Sequence, residues 1–187
     1  NTNVKILDID TGSKELPRGE DGEIAISGPQ VMAGYWNRPD ANEEVFREID
    51  GHRYFLTGDI GHIDSEGYII ITDRKKDMIV TGGFNVFPKE VEDVISAHPS
   101  VAQVAVIGVP DERWGESVKA VVVLRPDFEG SDSLATELIE AVKGAKGSVQ
   151  TPKSVDFSDA IPLSAVGKPY KKELRKLYWG DTGRGVN

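Results

Sequence analysis

The chain contains no cysteine, which excludes disulfides and thiolate metal sites and predicts a cytoplasmic protein. No run approaches the roughly 18–20 apolar residues that cross a bilayer as a helix, so no integral membrane segment is expected, and no charged-then-apolar leader opens the sequence. Basic residues fall short of acidic ones, 22 against 31, for a formal charge of −9. That balance argues against a general nucleic-acid binder, whose footprint is a basic stripe. The three histidines, His52, His62 and His98, lack metal-ligand spacing and read as structural or exposed, so no metal site is expected here. An initiator methionine is missing too. "NTNVKILDID" goes straight into a strand-like alternation, the expectation for a cut inside a longer protein.

What is present is enough for a real core: 187 residues, 39% of them hydrophobic, one large domain or two small ones at roughly 100–200 residues per domain. "VKILDID" and "GEIAISG" alternate apolar and polar, punctuated by "TGS", "LPRGEDG" and "SGPQ". "RPDANEEVF" predicts a short helix capped by Asp40. "RYFLTGDIGHID" and "GYIIITD" predict a hairpin closed by "SEG". After Asp73 the pattern changes. "KDMIVTGG" reads as a strand ending in paired glycines, and "PKEVEDVISAHPS" as a helix with Pro88 in its first turn. "VAQVAVIGV" and "SVKAVVVL" are β-branched strands around "PDERWGE". "SLATELIEAVKG" is a helix capped by Ser131 or Ser133, "PKSVDFS" a further strand, and "KPYKKELRKLYW" a closing amphipathic helix. The expected fold class is α+β: a β-rich segment over residues 1–73, then a small α+β domain over 74–187.

Several residues invite two readings. Asp59, in "YFLTGDIG", is either a turn aspartate satisfying nearby amides or an acceptor for a cis-diol such as ribose. "DRKKDMI" is either a solvated linker or a hinge whose charges hold docked states. Gly82 and Gly83 form a simple turn or leave a narrow passage for a thin ligand. Trp114 is either core or the cover of a ligand. Lys168 sits behind Gly167 in a Pro/Gly-punctuated loop, read as flexible. It is either an ordinary exposed lysine or one that reaches an anionic transition state.

In order, "GEIAISGPQVMAGYWNRPDAN", "YFLTGDIGHIDSEGYIIITDRKKDMIVTGGFNVFPKEVED", "VIGVPDERWGESVKAVVVL" and "PLSAVGKPYKKELR" closely resemble the adenylate-forming superfamily. That superfamily holds acyl-CoA synthetases, peptide-synthetase adenylation domains and luciferases. The chain looks most like the C-terminal part of a fatty-acyl or related CoA ligase. The resemblance implies that Asp59 and Arg74 hold the ATP ribose, that Lys76 is the hinge, and that Gly82, Gly83 and Trp114 line the pantetheine tunnel. It implies that Lys168 is the catalytic lysine of the first half-reaction. Lys171, Lys172, Arg175 and Lys176 read as the exposed face of the closing helix. Phe84 departs from the family, many of whose members carry glutamate there. ATP, Mg²⁺, a carboxylic acid and CoA are the implied cofactors and partners. The phosphate loop and acyl pocket lie upstream in the family and are missing from this sequence, so the chain alone is expected to be inactive. An adenylating enzyme that serves a carrier protein, and a non-catalytic lid-like binding module, are the alternatives. Homo-oligomerisation is left open.

Overall fold

The computed structural model describes residues 1–180, which fold as two compact units, Asn1–Lys76 and a second beginning at Asp77. In the first, β1 (Asn3–Leu7), β2 (Gly22–Ser27), α1 (Pro39–Val45), β3 (Phe46–Ile49), β4 (His52–Ile63) and β5 (Ile69–Arg74) follow in order. The strands form one five-stranded sheet, antiparallel throughout. Long β4 is its spine. β2 runs along one edge, while β3 pairs with its first half and β5 with its second. A cluster of Leu7, Ala25, Tyr54 and Leu56 forms its core.

Two local expectations change. Asp40 does not cap α1. Arg38 occupies the cap position without a side-chain bond, and Pro39 opens the helix, because proline has no N–H for a cap to satisfy. The chain also stays tied to the first sheet beyond Asp73, since Arg74 pairs with Asp59 across β4 and β5.

The second unit runs through a 3₁₀ turn (Lys75–Asp77, shared with the first unit), β6 (Ile79–Thr81), β7 (Phe84–Val86), α2 (Pro88–Ser96), β8 (Val101–Asp111), β9 (Gly115–Leu124), α3 (Asp132–Lys146), β10 (Ser154–Phe157) and α4 (Lys171–Trp179). Its sheet order is β10-β9-β6-β7, with β8 on β9. β8 and β9 form a long antiparallel hairpin, and α3 carries the chain over to β10, parallel to β9. The near-continuous apolar runs of β8 and β9 suit strands buried on both faces. Val106, Val118, Ala120 and Val122 pack under α2 and α3 with Val91, Ile95, Leu138 and Val142. Ala105, Ile107, Val109 and Val121 point the other way, to Ile161 and to Leu174 of α4. Ser131 is the cap of α3, its Oγ accepting from Leu134 N at 3.2 Å. Lys143 and Lys146 complement the dipole in its last turn. The molecule is α+β, as its patterning predicts.

Candidate functional site

In the first unit, antiparallel pairing brings Asp59 and Arg74 together. Arg74 Nε donates to Asp59 Oδ1 at 2.8 Å. Gly58, in the left-handed region at φ 73°, turns β4 immediately before the aspartate. Glu23, buried on β2, holds that turn by accepting from Gly58 N at 3.2 Å through Oε1 and from Lys75 Nζ at 2.7 Å through Oε2. Thr57 Oγ1 accepts from Asp59 N at 3.1 Å. A carboxylate and a guanidinium fixed side by side at a half-open edge offer charged acceptors and donors to a vicinal diol, the geometry in which such bonds are strong. Glu23 and Lys75 escape the sequence reading. The alternating "GEIAIS" is the signal that one strand face carries a buried acid. Lys76 closes this unit, within the 3₁₀ turn.

In the second unit, Gly82 and Gly83 are the two central residues of the β6–β7 turn, closed by the Thr81–Phe84 pair. Both have positive φ, 57° and 83°, the requirement of the tight two-residue turn that matches strand twist. Gly82 N donates to Trp114 O at 3.0 Å. A Cβ on Gly82 would lie 2.6 Å from the Trp114 ring, so the indole lies against bare backbone. Asp111 Oδ1 accepts from Arg113 N and Trp114 N, each at 2.9 Å, and fixes the β8–β9 tip. The Arg113 guanidinium stacks on the indole at 4.6 Å. Trp114, Val80 and Phe84 remain exposed. A Cβ on Gly83 would meet nothing within 4 Å. The turn therefore offers a thin, largely apolar surface edged by one cation.

Lys168 lies in a hairpin over residues 162–170, where the sequence reading expects a flexible loop. Ser164 N donates to Lys168 O at 2.8 Å, Gly167 N to Ser164 O at 2.9 Å, and Tyr170 N to Pro162 O at 2.7 Å. Gly167 takes φ 75°, the left-handed final position of a three-residue loop. The Lys168 ammonium is exposed and has no partner among the described residues.

The neighbouring basic residues do not form one exposed face. Lys172 and Lys176 are exposed. Lys171 Nζ lies 2.8 Å from Glu92 Oε1, with side chains only 12% and 15% exposed. Arg175 Nη1 lies 3.0 Å from Asp77 Oδ1, at 8% and 16%. The correction follows from helical spacing: Lys171 and Arg175 sit four residues apart, on the same face as Leu174 and Tyr178.

Among the described residues, no three His, Cys, Asp or Glu side chains cluster to hold a metal ion. No helix among them is long and apolar enough to cross a membrane.

Residues 90–168 match the AMP-binding enzyme C-terminal domain model. Over 187 residues the chain is 51% identical to the medium/long-chain-fatty-acid–CoA ligase FadD8 of Mycobacterium tuberculosis, covering 98% of this chain and 32% of that protein. It is 42% identical over 180 residues to the fatty acid–[acyl-carrier-protein] ligase ScoC of Streptomyces coeruleorubidus, covering 96% of this chain and 33% of that protein. ATP-bound MatB from Rhodopseudomonas palustris superposes with a TM-score of 0.84 at 40% identity, over 98% of this chain and 35% of that one. The chain thus spans about a third of the length of the relatives it matches.

Proposed function

Because the chain belongs to the adenylate-forming superfamily, matching its C-terminal part, we propose that it serves as that part of an ATP-dependent carboxylate–CoA ligase. In this reading residues 1–73 are the distal part of the AMP-binding domain and 74–187 its lid. The first step joins acid and ATP to give acyl-AMP and pyrophosphate. The second transfers the acyl group to the CoA thiol and releases AMP. The names of several relatives favour a fatty acid as substrate, and the reaction is assigned to the cytoplasm. ATP phosphates, Mg²⁺ and the acyl chain are held upstream, so this chain alone completes neither step.

One observation carries the reading: a single unit bears two chemically different tips. Lys168 is an unpaired cation on a fixed hairpin. When a carboxylate attacks the α-phosphate, two anions approach, and a lysine between them stabilises the charge that builds, an effect commonly worth about 3–4 kcal/mol for one well-placed donor. Gly82 and Gly83, beside the Trp114 ring, suit the opposite need, passage of a slender neutral arm carrying the thiol. Turning the unit at Lys76 exchanges one tip for the other. Asp59 and Arg74 bind the ribose hydroxyls through both steps.

In the full-length protein, Lys168→Ala is expected to cut adenylation, read by pyrophosphate exchange, roughly 10²–10³-fold. Thioester formation from supplied acyl-adenylate should be largely spared. Equal loss in both assays would sink the assignment. Gly83→Leu should give the reverse pattern. A second reading, with an acyl-carrier protein as acceptor, draws support from the resemblance to ScoC. Acyl transfer that proceeds with a carrier protein and not with CoA would select it.

A further inference from the structure

The hairpin that carries Lys168 has almost no core of its own. Leu163, Val166 and Tyr170 are exposed, and the hairpin's internal bonds fix its shape without fixing where it points. Its aim is set by its two anchors, Ile161 before it and α4 after it. α4 starts at Lys171, three positions beyond Lys168, and Leu174 N bonds back to Tyr170 O at 3.2 Å. Any roll or slide of α4 is therefore passed to the hairpin.

Apolar contact alone leaves a nine-residue helix free to adjust, because hydrophobic attraction is non-directional. Two directional contacts remove that freedom. Lys171 meets Glu92 of α2, whose Oε1 also accepts from Val106 N at 2.8 Å, locking helix, sheet and α4 together. Arg175 meets Asp77, the first residue of the second unit, next to Lys76. Buried ion pairs of this kind contribute little net stability over apolar replacements, and register is their best-attested role.

We propose that Lys171 and Arg175 are positioning residues that set the aim of Lys168, tying its hairpin to α2 and to the residue that follows the hinge. The proposal rests on the adenylation role of Lys168 given above. Neither cation touches substrate. Each acts by fixing the angle of α4, and a displacement of about 1 Å at the lysine is enough to cost adenylation as much as 10²-fold.

The test compares variants of the full-length protein in both half-reactions. Arg175→Gln and the volume-preserving pair Lys171→Met with Glu92→Gln should each lower the adenylation kcat at least tenfold. KM for ATP should hold, and thioester formation from supplied acyl-adenylate should stay within about twofold. In the paired variant the side-chain amide oxygen at position 92 is expected to keep accepting from Val106 N, so its thermal midpoint should stay near that of the parent. Lys171→Arg should recover most of the adenylation rate. Normal adenylation in the paired variant, or parallel loss of both half-reactions, overturns the proposal. Lys168→Ala run alongside separates the failures. If it leaves adenylation intact, the function assigned to Lys168 is wrong. If it abolishes adenylation while the α4 variants do not, only the positioning role is wrong.

Discussion

The β6–β7 turn and the 162–170 hairpin are both tight tips on the second unit, yet they are built in opposite ways. The first is clamped. Gly82 is bonded to the Trp114 carbonyl and covered by its ring, and both glycines spend their conformational freedom on the turn. The second is open. Around Gly167 a Cβ would meet nothing within 4 Å, and Lys168 beyond it has no partner among the described residues. A surface that guides a slender ligand gains from rigid walls close together. A cation that must meet an anion loses if a carboxylate already holds it, because that pairing would have to be broken first. The unit therefore keeps Lys168 clear of acids and places its carboxylates beneath α4, on Lys171 and Arg175.

The comparison can be broken most forcefully at the seat of the open tip. Leu174 is fully buried, and Leu174→Ala should cost about 2–5 kcal/mol of stability, read by denaturant unfolding. Amide exchange should rise at Tyr170 while Gly82 stays protected. Equal loss of protection at both tips would mean that they are not independent. A sharper cut follows at the glycines. Gly82→Ala should cost more than about 2 kcal/mol, since left-handed strain adds to overlap with the indole. Gly83→Ala and Gly167→Ala, with strain and no neighbour, should each cost about 1 kcal/mol. Adding Trp114→Ala to Gly82→Ala should return part of the difference. A cost at Gly167 as large as that at Gly82 would show that the open tip is clamped after all.

The places of both tips were legible in the sequence because their signals are local, but the 162–170 hairpin itself was not, since that stretch reads as a flexible loop. Paired glycines after a short apolar strand, and Pro/Gly punctuation around Lys168, need no distant partner to be read. The burial of Lys171 and Arg175 was not legible. Arg175 is matched by Asp77, 98 positions away, and a lysine-rich helix read alone looks like a solvated face. β3 and β7, of four and three residues, were too short to show a period, and pairing with β4 and β6 defines them. β5 shows the reverse. Its "III" run is wholly apolar, yet Ile69, Ile70 and Ile71 are all exposed, because among the described residues no second layer packs on them. Asp59 stood out in "YFLTGDIG" as either a turn aspartate or a diol acceptor, and Arg74 was singled out through the resemblance alone. Their contact follows from a register between β4 and β5 that residue types do not encode.

The smallest expected effect lies at the far end of α4, where the open tip's support meets β9 and β10. Tyr178 Oη donates to Asp156 Oδ2 at 2.8 Å, and Lys119 Nζ donates to Asp156 Oδ1 at 2.7 Å. Burial pushes the Tyr178 phenol up, and the Asp156 carboxylate pushes it further, to about 12. Burial alone would raise the Asp156 carboxyl, but the bonds from Lys119 and Tyr178 prevail and hold it below its ordinary 3.8. The two shifts act at opposite ends of the pH scale. A depressed carboxyl stabilises the fold above its unfolded value, and that contribution is lost as pH falls below about 3.8. A raised phenol stabilises it below its unfolded value of 10, and that contribution is lost as pH climbs from 10 towards 12. Tyr178→Phe removes the phenol and one of the bonds, at a cost of about 0.5–1 kcal/mol near neutrality. The stability gap between parent and variant, followed by urea unfolding against pH, should be flat from about pH 5 to 9 and shrink on both sides. A gap that stays constant through the alkaline limb would mean that the phenol does not lean on Asp156. The end of α4 would then be held by Trp179, whose Nε1 donates to Gly108 O at 2.9 Å, together with contacts that do not titrate.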